Sequence, residues 1–271
     1  MTGDATIRRA IEAAQRSSHP ALAAFLTAGF PDRSSFAAVL SAVAGVADVV
    51  EIGVPFSDPM ADGPVIQRSS ERALARGAGL RHVLDSVRRF RTGDPTTPVV
   101  LMGYLNPVEI HGVDAFAADA GDAGVDGVLL VDLPPEEAGA YSAAFAARGL
   151  ALISLVAPTT PQPRLERLCA QAEGYLYYVS YAGVTGAAQL DVARIGEQLA
   201  HLRQCSRVPV FAGFGIRDAD SAAAVAAHAD GVVVGSALVS ALADAQDAMT
   251  AAELAGEFLR PLRAALDAAA R

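Results

Sequence analysis

Residues 48–54 are Asp-Val-Val-Glu-Ile-Gly-Val, a short β-branched run that begins at Asp48 and in which Glu51 is the one charged residue after it. Continuous apolar runs bounded by Asp, Gly or Pro are typical of strands buried on both faces, as in parallel sheets. Further runs of this kind lie at 21–28, 98–104, 127–132, 150–157, 175–180, 208–215 and 231–235. The sequence therefore predicts a set of eight buried parallel strands.

Apolar residues recur at helical spacing in the segments between these runs. Between 192 and 203, for example, Ile195, Leu199 and Leu202 recur at the i, i+4, i+7 spacing of one helix face. Comparable stretches lie at 34–43, 136–148, 164–172 and 221–228. Strands and helices that alternate at near-even spacing predict right-handed βαβ units, and eight units fit one closed (β/α)8 TIM barrel. We expect an α/β protein with a single barrel domain over residues 1–271.

The connection after the second strand is too long for one helix. It begins with Pro55-Phe-Ser-Asp-Pro-Met-Ala-Asp-Gly-Pro64, which no helix tolerates, and continues with helical spacing at 65–76 and 81–91. A long loop of this kind is usually functional, so we predict a functional loop and an extra helix after strand 2. Helical stretches at 7–16 and after 250 lie outside the repeat, and the first is an N-terminal extra helix.

Composition excludes several classes of protein. The chain has 21 basic and 30 acidic residues, a net charge of −9, and no Lys/Arg cluster, which argues against nucleic acid as a partner. No signal peptide and no membrane-spanning run stands out, so we expect a soluble, cytoplasmic protein without a membrane partner. The two cysteines, Cys169 and Cys205, are too few for a disulfide framework, which is typical of a reducing compartment.

Glu51 is a candidate catalytic residue. Side chains alternate along a strand, so Glu51 shares a face with Val49 and Gly53, and the glycine leaves space beside the carboxylate. Barrel active sites form at the carboxyl ends of the strands, where this residue lies. Apolar surroundings raise the pKa of a carboxyl group towards neutrality, which suits a group that both donates and accepts protons. The alternative is a purely structural, hydrogen-bonded Glu.

Asp62 lies in the long loop, from which it can reach the same barrel mouth. A buried carboxylate and a loop carboxylate in different environments form a plausible acid/base pair. The alternative role for Asp62 is to cap the helix that begins near Val65. Asp58, between Ser57 and Pro59, is better explained as a turn former.

Glycine turns follow three late strands, at 183–186, 213–215 and 235–236. Glycines let backbone N–H groups approach an anion, and a helix that starts at Ser236 would favour a phosphate. The second turn is not a dinucleotide fingerprint, because Asp218 occupies the third glycine position. The five histidines share no metal-ligand spacing. Glu51, Asp58, Asp62 and Asp132 are possible Mg²⁺ ligands, but no spacing requires a metal and no cofactor motif is present.

Several segments together resemble the tryptophan synthase α subunit family, in order from about Ile7 to the C-terminus. The most specific segment is Glu51-Ile-Gly-Val-Pro-Phe-Ser-Asp-Pro-Met-Ala-Asp-Gly-Pro-Val-Ile-Gln67. The others are Phe25-Leu-Thr-Ala-Gly-Phe-Pro-Asp32, Leu101-Met-Gly-Tyr-Leu-Asn-Pro107, Asp132-Leu-Pro-Pro135, Gly183-Val-Thr-Gly186 and Gly213-Phe-Gly-Ile216.

The resemblance implies a lyase that splits indole-3-glycerol phosphate into indole and glyceraldehyde 3-phosphate by a retro-aldol reaction. Its catalytic Glu and loop Asp match Glu51 and Asp62. Thr185 matches a Thr that closes onto the loop Asp, and Tyr177 lies beside the glycerol part. The phosphate is implied to bind at Gly186, Gly215, Gly235 and Ser236. The indole pocket is implied to be lined by Phe25, Met102, Leu129, Leu155 and Phe214.

The resemblance also implies a partner, the tryptophan synthase β subunit in an α2β2 complex, with pyridoxal phosphate only on that subunit. The β-facing surface matches the loops around Asp58-Pro59, Asn106-Pro107 and Pro134-Pro135. Two alternatives remain open at this point. The first is a stand-alone lyase that needs no β subunit, because the residues flanking 183–186 differ from the family pattern. The second is a non-catalytic activator of a β-like partner. A sugar-phosphate isomerase would explain the glycine turns but not the segment 51–67.

Overall fold

The computed structural model describes residues 2–17, 19–179, 192–213 and 215–269. Within these ranges the strands are β1 (Ala21–Thr27), β2 (Val49–Gly53), β3 (Val99–Gly103), β4 (Gly127–Leu130), β5 (Ala151–Leu152), β6 (Ser154–Val156), β7 (Leu176–Val179), β8 (Val210–Gly213) and β9 (Gly231–Val234). The helices are α1 (Gly3–Arg16), α2 (Phe36–Ala44), α3 (Pro64–Ala75), α4 (Leu80–Arg91), α5 (Leu105–His111), α6 (Val113–Ala123), α7 (Ala138–Ala146), α8 (Gln162–Gln171), α9 (Val192–Cys205), α10 (Ala219–Ala226), α11 (Ser236–Ala241) and α12 (Ala248–Ala268).

The strands form one parallel sheet that closes into a barrel. Its order is β5-β4-β3-β2-β1-β9-β8-β7-β6, and the two end strands are separated in the chain by Ile153 alone. β5 pairs with β4 while β6 pairs with β7, so the segment 151–156 joins both edges. At the break, the carboxylate of Glu173 accepts a hydrogen bond of 2.8 Å from the backbone N–H of Leu152. The predicted (β/α)8 barrel is confirmed, with its fifth strand interrupted.

The predicted elements match the observed ones closely. Each of the eight predicted runs contains its strand with both bounds within two residues. α1 is the N-terminal extra helix, and the connection after β2 holds two helices, α3 and α4, which is one more than a βαβ unit needs. Helices α5 and α6 were not predicted, and Asn106-Pro107 lies in the first turn of α5. Proline is tolerated in the first turn of a helix, so this pair begins α5 rather than ending a helix. No helix in the described part of the chain combines the length and apolarity needed to cross a membrane.

The N-terminal helix closes one end of the barrel. Ile7 and Ile11 of α1 are fully buried in the cluster of side chains that fills the barrel interior. The carboxylate of Asp4 accepts a hydrogen bond of 2.7 Å from the backbone N–H of Gly174, just before β7. The interior side chains in this cluster include Val49, Val100, Leu129, Tyr175, Phe211 and Val233. Because α1 covers the amino ends of the strands, the carboxyl ends remain as the approach to the interior.

We predict that Ile7→Ala destabilises the protein by about 2–4 kcal/mol, because it leaves a cavity under a barrel whose other interior residues are already packed. The measurement is the urea unfolding midpoint at constant m value. Exposed Arg8→Ala, one residue along the same helix, is the control and should change stability by less than about 0.5 kcal/mol. Equal losses in both variants would contradict the closing role of α1.

Candidate active site

Glu51 projects into the barrel interior from the middle of β2. Its side chain is 0% exposed. The hydroxyl of Tyr175 donates a hydrogen bond of 2.5 Å to Oε1, while Oε2 has no hydrogen-bond partner among the described residues. Burial raises the pKa of this carboxyl to about 7, against the lowering effect of the Tyr175 hydrogen bond. Glu51 can therefore gain or lose a proton near neutral pH, and one of its oxygens is left for another group.

Tyr175 is a site residue that the sequence analysis missed. It lies just before β7, where its ring stacks on Phe211 at 4.6 Å between centroids and meets Tyr177 edge-on at 6.5 Å. These contacts fix the ring, so the hydroxyl stays aimed at Glu51. The available signal was the i, i+2 spacing of Tyr175 and Tyr177, which places two phenols on the interior face of one strand.

Two glycines make room for aromatic rings near the site. A Cβ atom at Gly53 would lie 2.4 Å from Cζ of Phe25, and one at Gly213 would lie 2.2 Å from the hydroxyl of Tyr177. Gly53 was expected from the sequence to leave space beside the Glu51 carboxylate. That expectation was wrong, because β1 and β2 pair Phe25 with Glu51 and Thr27 with Gly53, which brings the Phe25 ring over the glycine.

Asp62 is held by a tyrosine from the next strand's loop. The hydroxyl of Tyr104 donates a hydrogen bond of 3.0 Å to Oδ2 of Asp62 and accepts one of 3.0 Å from the backbone N–H of Ala61. Burial raises the pKa of Asp62, and the Tyr104 hydrogen bond opposes this. The alternative capping role is not observed, since Gly63 is the N-cap of α3 and no side chain caps that end. Tyr104 is the second site residue missed from sequence.

The carboxylates of Glu51 and Asp62 both affect the pKa of the Tyr177 phenol. Burial raises the pKa of Tyr177 well above its usual value, and the negative charges of Glu51 and Asp62 add to that shift. The two groups are thus within electrostatic reach of one side chain at the carboxyl end of the barrel. Glu51 is buried in β2 and Asp62 lies on the loop that follows it, and the charges of both reach Tyr177.

The predicted indole pocket and phosphate positions are partly described. Gly235 is the N-cap of α11, Ser236 is its first residue, and Gly215 has a φ of +45°, in the left-handed region that favours glycine. A Cβ at Gly235 would lie 3.6 Å from Cβ of Phe25, so this helix start lies beside the interior. Phe25, Leu129 and Tyr177 are buried and Met102 and Leu155 are partly buried. Thr185, Gly186 and Phe214 lie outside the described residues.

The other acidic candidates have structural roles. Asp132 accepts a hydrogen bond of 2.7 Å from the backbone N–H of Leu105 at the start of α5. Asp58 is exposed and accepts a hydrogen bond of 2.5 Å from Ser57 in the loop, as expected of a turn former. Among the residues that the structure describes, no three His, Cys, Asp or Glu side chains gather into a metal site.

Comparison with known proteins gives one family. The sequence profile of the tryptophan synthase alpha chain matches residues 11–266. The tryptophan synthase alpha chain of Xanthomonas euvesicatoria pv. vesicatoria is 64% identical over 249 residues, which cover 91% of this chain and 93% of the relative. The alpha chain of Xanthomonas campestris pv. campestris is 60% identical over 264 residues, or 97% of each chain.

Solved structures agree with this result. Tryptophan synthase subunit alpha from Legionella pneumophila superimposes with a TM-score of 0.91 at 41% identity and covers 99% of each chain. A chain of the tryptophan synthase complex from Pyrococcus furiosus superimposes with a TM-score of 0.81 at 36% identity, over 90% of this chain and 98% of that one.

We predict that Glu51→Gln stabilises the protein at alkaline pH. The folded carboxyl, with its pKa of about 7, retains a proton that the unfolded chain, at 4.5, has lost. The stability of the native protein therefore falls as pH rises from 4.5 through 7, by about 3 kcal/mol in total. Gln carries no such proton, so the variant should equal the native protein near pH 4.5 and exceed it by this amount at pH 8.

Urea unfolding at a series of pH values measures this difference. Val49→Ala, on the same face of β2, is the control, because its destabilisation should not vary with pH. A Glu51→Gln difference that is constant with pH would show that the pKa of Glu51 is the same in the folded and the unfolded chain, and would contradict the raised pKa.

Proposed function

This chain belongs to the tryptophan synthase alpha chain family and is a lyase of tryptophan biosynthesis; we propose that it cleaves indole-3-glycerol phosphate to indole and glyceraldehyde 3-phosphate. The observation that carries this proposal is the fully buried Glu51, whose pKa of about 7 suits both proton donation and proton acceptance. The reaction is a carbon–carbon cleavage of the retro-aldol type.

The reaction needs one proton given to indole C3 and one proton taken from the adjacent glycerol hydroxyl, at nearly the same place. The bond to be broken joins indole C3 to the first carbon of the glycerol chain, and its electrons must move into the ring. Protonation of C3 gives an indolenine that can accept them. As the bond breaks, the hydroxyl on the glycerol carbon loses its proton and becomes the aldehyde oxygen. The electron pair of the broken bond returns aromaticity to the ring, and indole leaves.

Glu51 is the group that protonates C3 and deprotonates the adjacent hydroxyl. In its protonated form it gives a proton to C3, and the resulting carboxylate then takes the proton of the glycerol hydroxyl. The hydrogen bond from Tyr175 occupies Oε1, so Oε2 is the oxygen that meets the substrate. Because water is excluded from this position, the proton passes between Glu51 and substrate rather than to solvent.

Asp62 acts at the ring nitrogen. Protonation of C3 leaves the indolenine nitrogen positively charged, and a nearby carboxylate stabilises that charge and accepts its proton. As the C–C bond breaks and its electrons enter the ring, Asp62 returns this proton to the nitrogen, so that indole leaves with its N–H. Tyr104 supports this role as a positioning residue, because its hydroxyl holds Oδ2 of Asp62 and the backbone of Ala61 together.

The remaining substrate contacts follow the family pattern. We assign the indole ring to Phe25, Met102, Leu129, Leu155 and Phe214, with Tyr177 beside the glycerol part and Thr185 closing onto Asp62. We assign the phosphate to Gly186, Gly215, Gly235 and Ser236, and the start of α11 at the last two residues supports this, since helix N-termini favour anions.

We further propose that the chain works with a tryptophan synthase β subunit in an α2β2 complex. A Pyrococcus furiosus relative is described as part of such a complex. Met60, beside Asp58-Pro59, is 87% exposed, and Ile110, beside Asn106-Pro107, is 79% exposed. A partner that covers these two side chains would remove their apolar surface from water. Pyridoxal phosphate would be carried by the β subunit, outside this chain.

We predict that Glu51→Gln lowers the rate of indole release from indole-3-glycerol phosphate by about 10²–10⁴-fold, since Gln neither donates nor accepts the required protons. Asp62→Asn should cause a loss of the same order. Steady-state assays of the purified chain measure kcat and KM, and KM should change by less than about threefold because the residues lining the pocket are kept.

Asp58→Asn, an exposed carboxylate in the same loop, is the matched control and should retain the native rate. Unchanged indole release by Glu51→Gln, together with intact binding to a β subunit, would contradict the proposed reaction and favour the non-catalytic activator.

We predict that a β subunit raises indole release by this chain at least about tenfold, and that Met60→Asp weakens this stimulation by placing a charge in an apolar contact. The measurement is indole release against β-subunit concentration. Met249→Asp is the control, because Met249 is also exposed, at 70%, but lies outside the β-facing loops. A full rate without any β subunit would favour the stand-alone lyase.

A further inference from the structure

The two cysteines of the chain face each other across neighbouring helices. Cys169 lies near the end of α8 and Cys205 is the last residue of α9. Their sulfur atoms are 2.6 Å apart although 36 positions separate them in the sequence. They are the only cysteines in the chain, and both are free thiols. Sequence spacing gave no sign of this pairing, which arises from the packing of consecutive barrel helices.

We propose that Cys169 and Cys205 form a redox modification site, at which a low-molecular-weight disulfide oxidises the two thiols to an intramolecular disulfide bond between α8 and α9. The sulfurs need to approach by well under ~1 Å to reach the ~2.05 Å of a disulfide. The pair belongs to the main apolar cluster of the protein, which also contains the buried leucines of these two helices, Leu168, Leu199 and Leu202. The site lies in the helical layer outside the barrel, apart from Glu51 and Asp62.

The two thiols differ in their exposure to solvent. Cys169 is 1% exposed, and burial together with its neighbour Cys205 raises its pKa to about 12. Cys205 is partly exposed, and its thiol donates a hydrogen bond of 3.4 Å to the carbonyl of Leu202. An external oxidant therefore meets Cys205 first, and Cys169 is the resolving thiol.

The reaction is a double thiol–disulfide exchange. The Cys205 thiolate attacks one sulfur of the external disulfide, breaks its S–S bond and releases one small thiol. Cys169 then loses its proton, attacks Sγ of Cys205 and displaces the second small thiol. The protein thus loses two electrons and two protons, and the external disulfide gains them as two thiols. Because Cys169 must ionise, the second exchange is the slower one and accelerates as pH rises.

Closure of this bond should stabilise the fold. The two cysteines are 36 positions apart, and the segment between them includes β7, which follows directly on Tyr175, the partner of Glu51. Cross-linking a loop of this length restricts the unfolded chain, so the oxidised protein should melt about 5–10 °C above the reduced one.

The test is incubation of the folded, full-length chain with oxidised glutathione, followed by thiol titration, peptide mapping and thermal unfolding. We expect the two titratable thiols to fall to none, a peptide in which residue 169 is linked to residue 205, and a higher Tm that dithiothreitol reverses. Formation of the linked peptide should be faster at pH 9 than at pH 7.

Single variants separate the two thiols. Cys169→Ser should accumulate a stable glutathione adduct on Cys205, whereas Cys205→Ser should remain unmodified because Cys169 is buried. Peptide mapping of the native chain shows whether residues 169 and 205 are linked, even where a variant folds poorly. Two persistent thiols, a native chain that stops at the glutathione adduct, or a bond between two chains would each overturn the proposal.

Discussion

The burial of the Glu51 carboxyl inside a closed barrel is the constraint around which the site is arranged. A charge in that position loses its hydration, so the carboxyl is stable there only when it is neutral or hydrogen-bonded. The phenol of Tyr175 supplies the hydrogen bond, and the stacked ring of Phe211 holds that phenol in place. At the opposite end of the barrel, α1 keeps water from the same interior.

The second carboxylate is held in a different way. Asp62 is tied by Tyr104, so its position depends on the contact between the loop after β2 and the residue that follows β3. Phe56 of the same loop packs on the Tyr104 ring with centroids 5.2 Å apart, which adds an apolar contact to the hydrogen bond. One acid/base group is thus part of the rigid core and the other is part of a surface loop. A loop is the element that can adjust when substrate enters.

The sequence was sufficient for the barrel because each strand is buried on both faces and each is a short apolar run between turn residues. It was sufficient for Glu51 and Asp62 because a carboxylate in such a strand and another in a proline-rich loop are conspicuous. Tyr175 and Tyr104 could not be identified, since a phenol in an apolar run is equally typical of an ordinary core. Their roles depend on strand register and on long-range contacts. Tyr175 is 124 positions from Glu51, and Tyr104 is 42 positions from Asp62. The break at Ile153 could not be predicted either, since the hydrogen bond beside it, from Leu152 to Glu173, joins residues that are distant in the sequence.

The position of α1 also determines when this helix can dock during synthesis of the chain. Asp4 meets Gly174 across 170 positions, and Gly3 bonds to the carbonyl of Gly149. A ribosome adds ~5–20 residues per second, so the helix emerges on the order of ten seconds before its partners exist. During that interval Ile7 and Ile11 have no barrel to enter. The apolar stripe of α1 therefore lacks its binding site in the growing chain, and α1 docks only after the strands that it covers have been made.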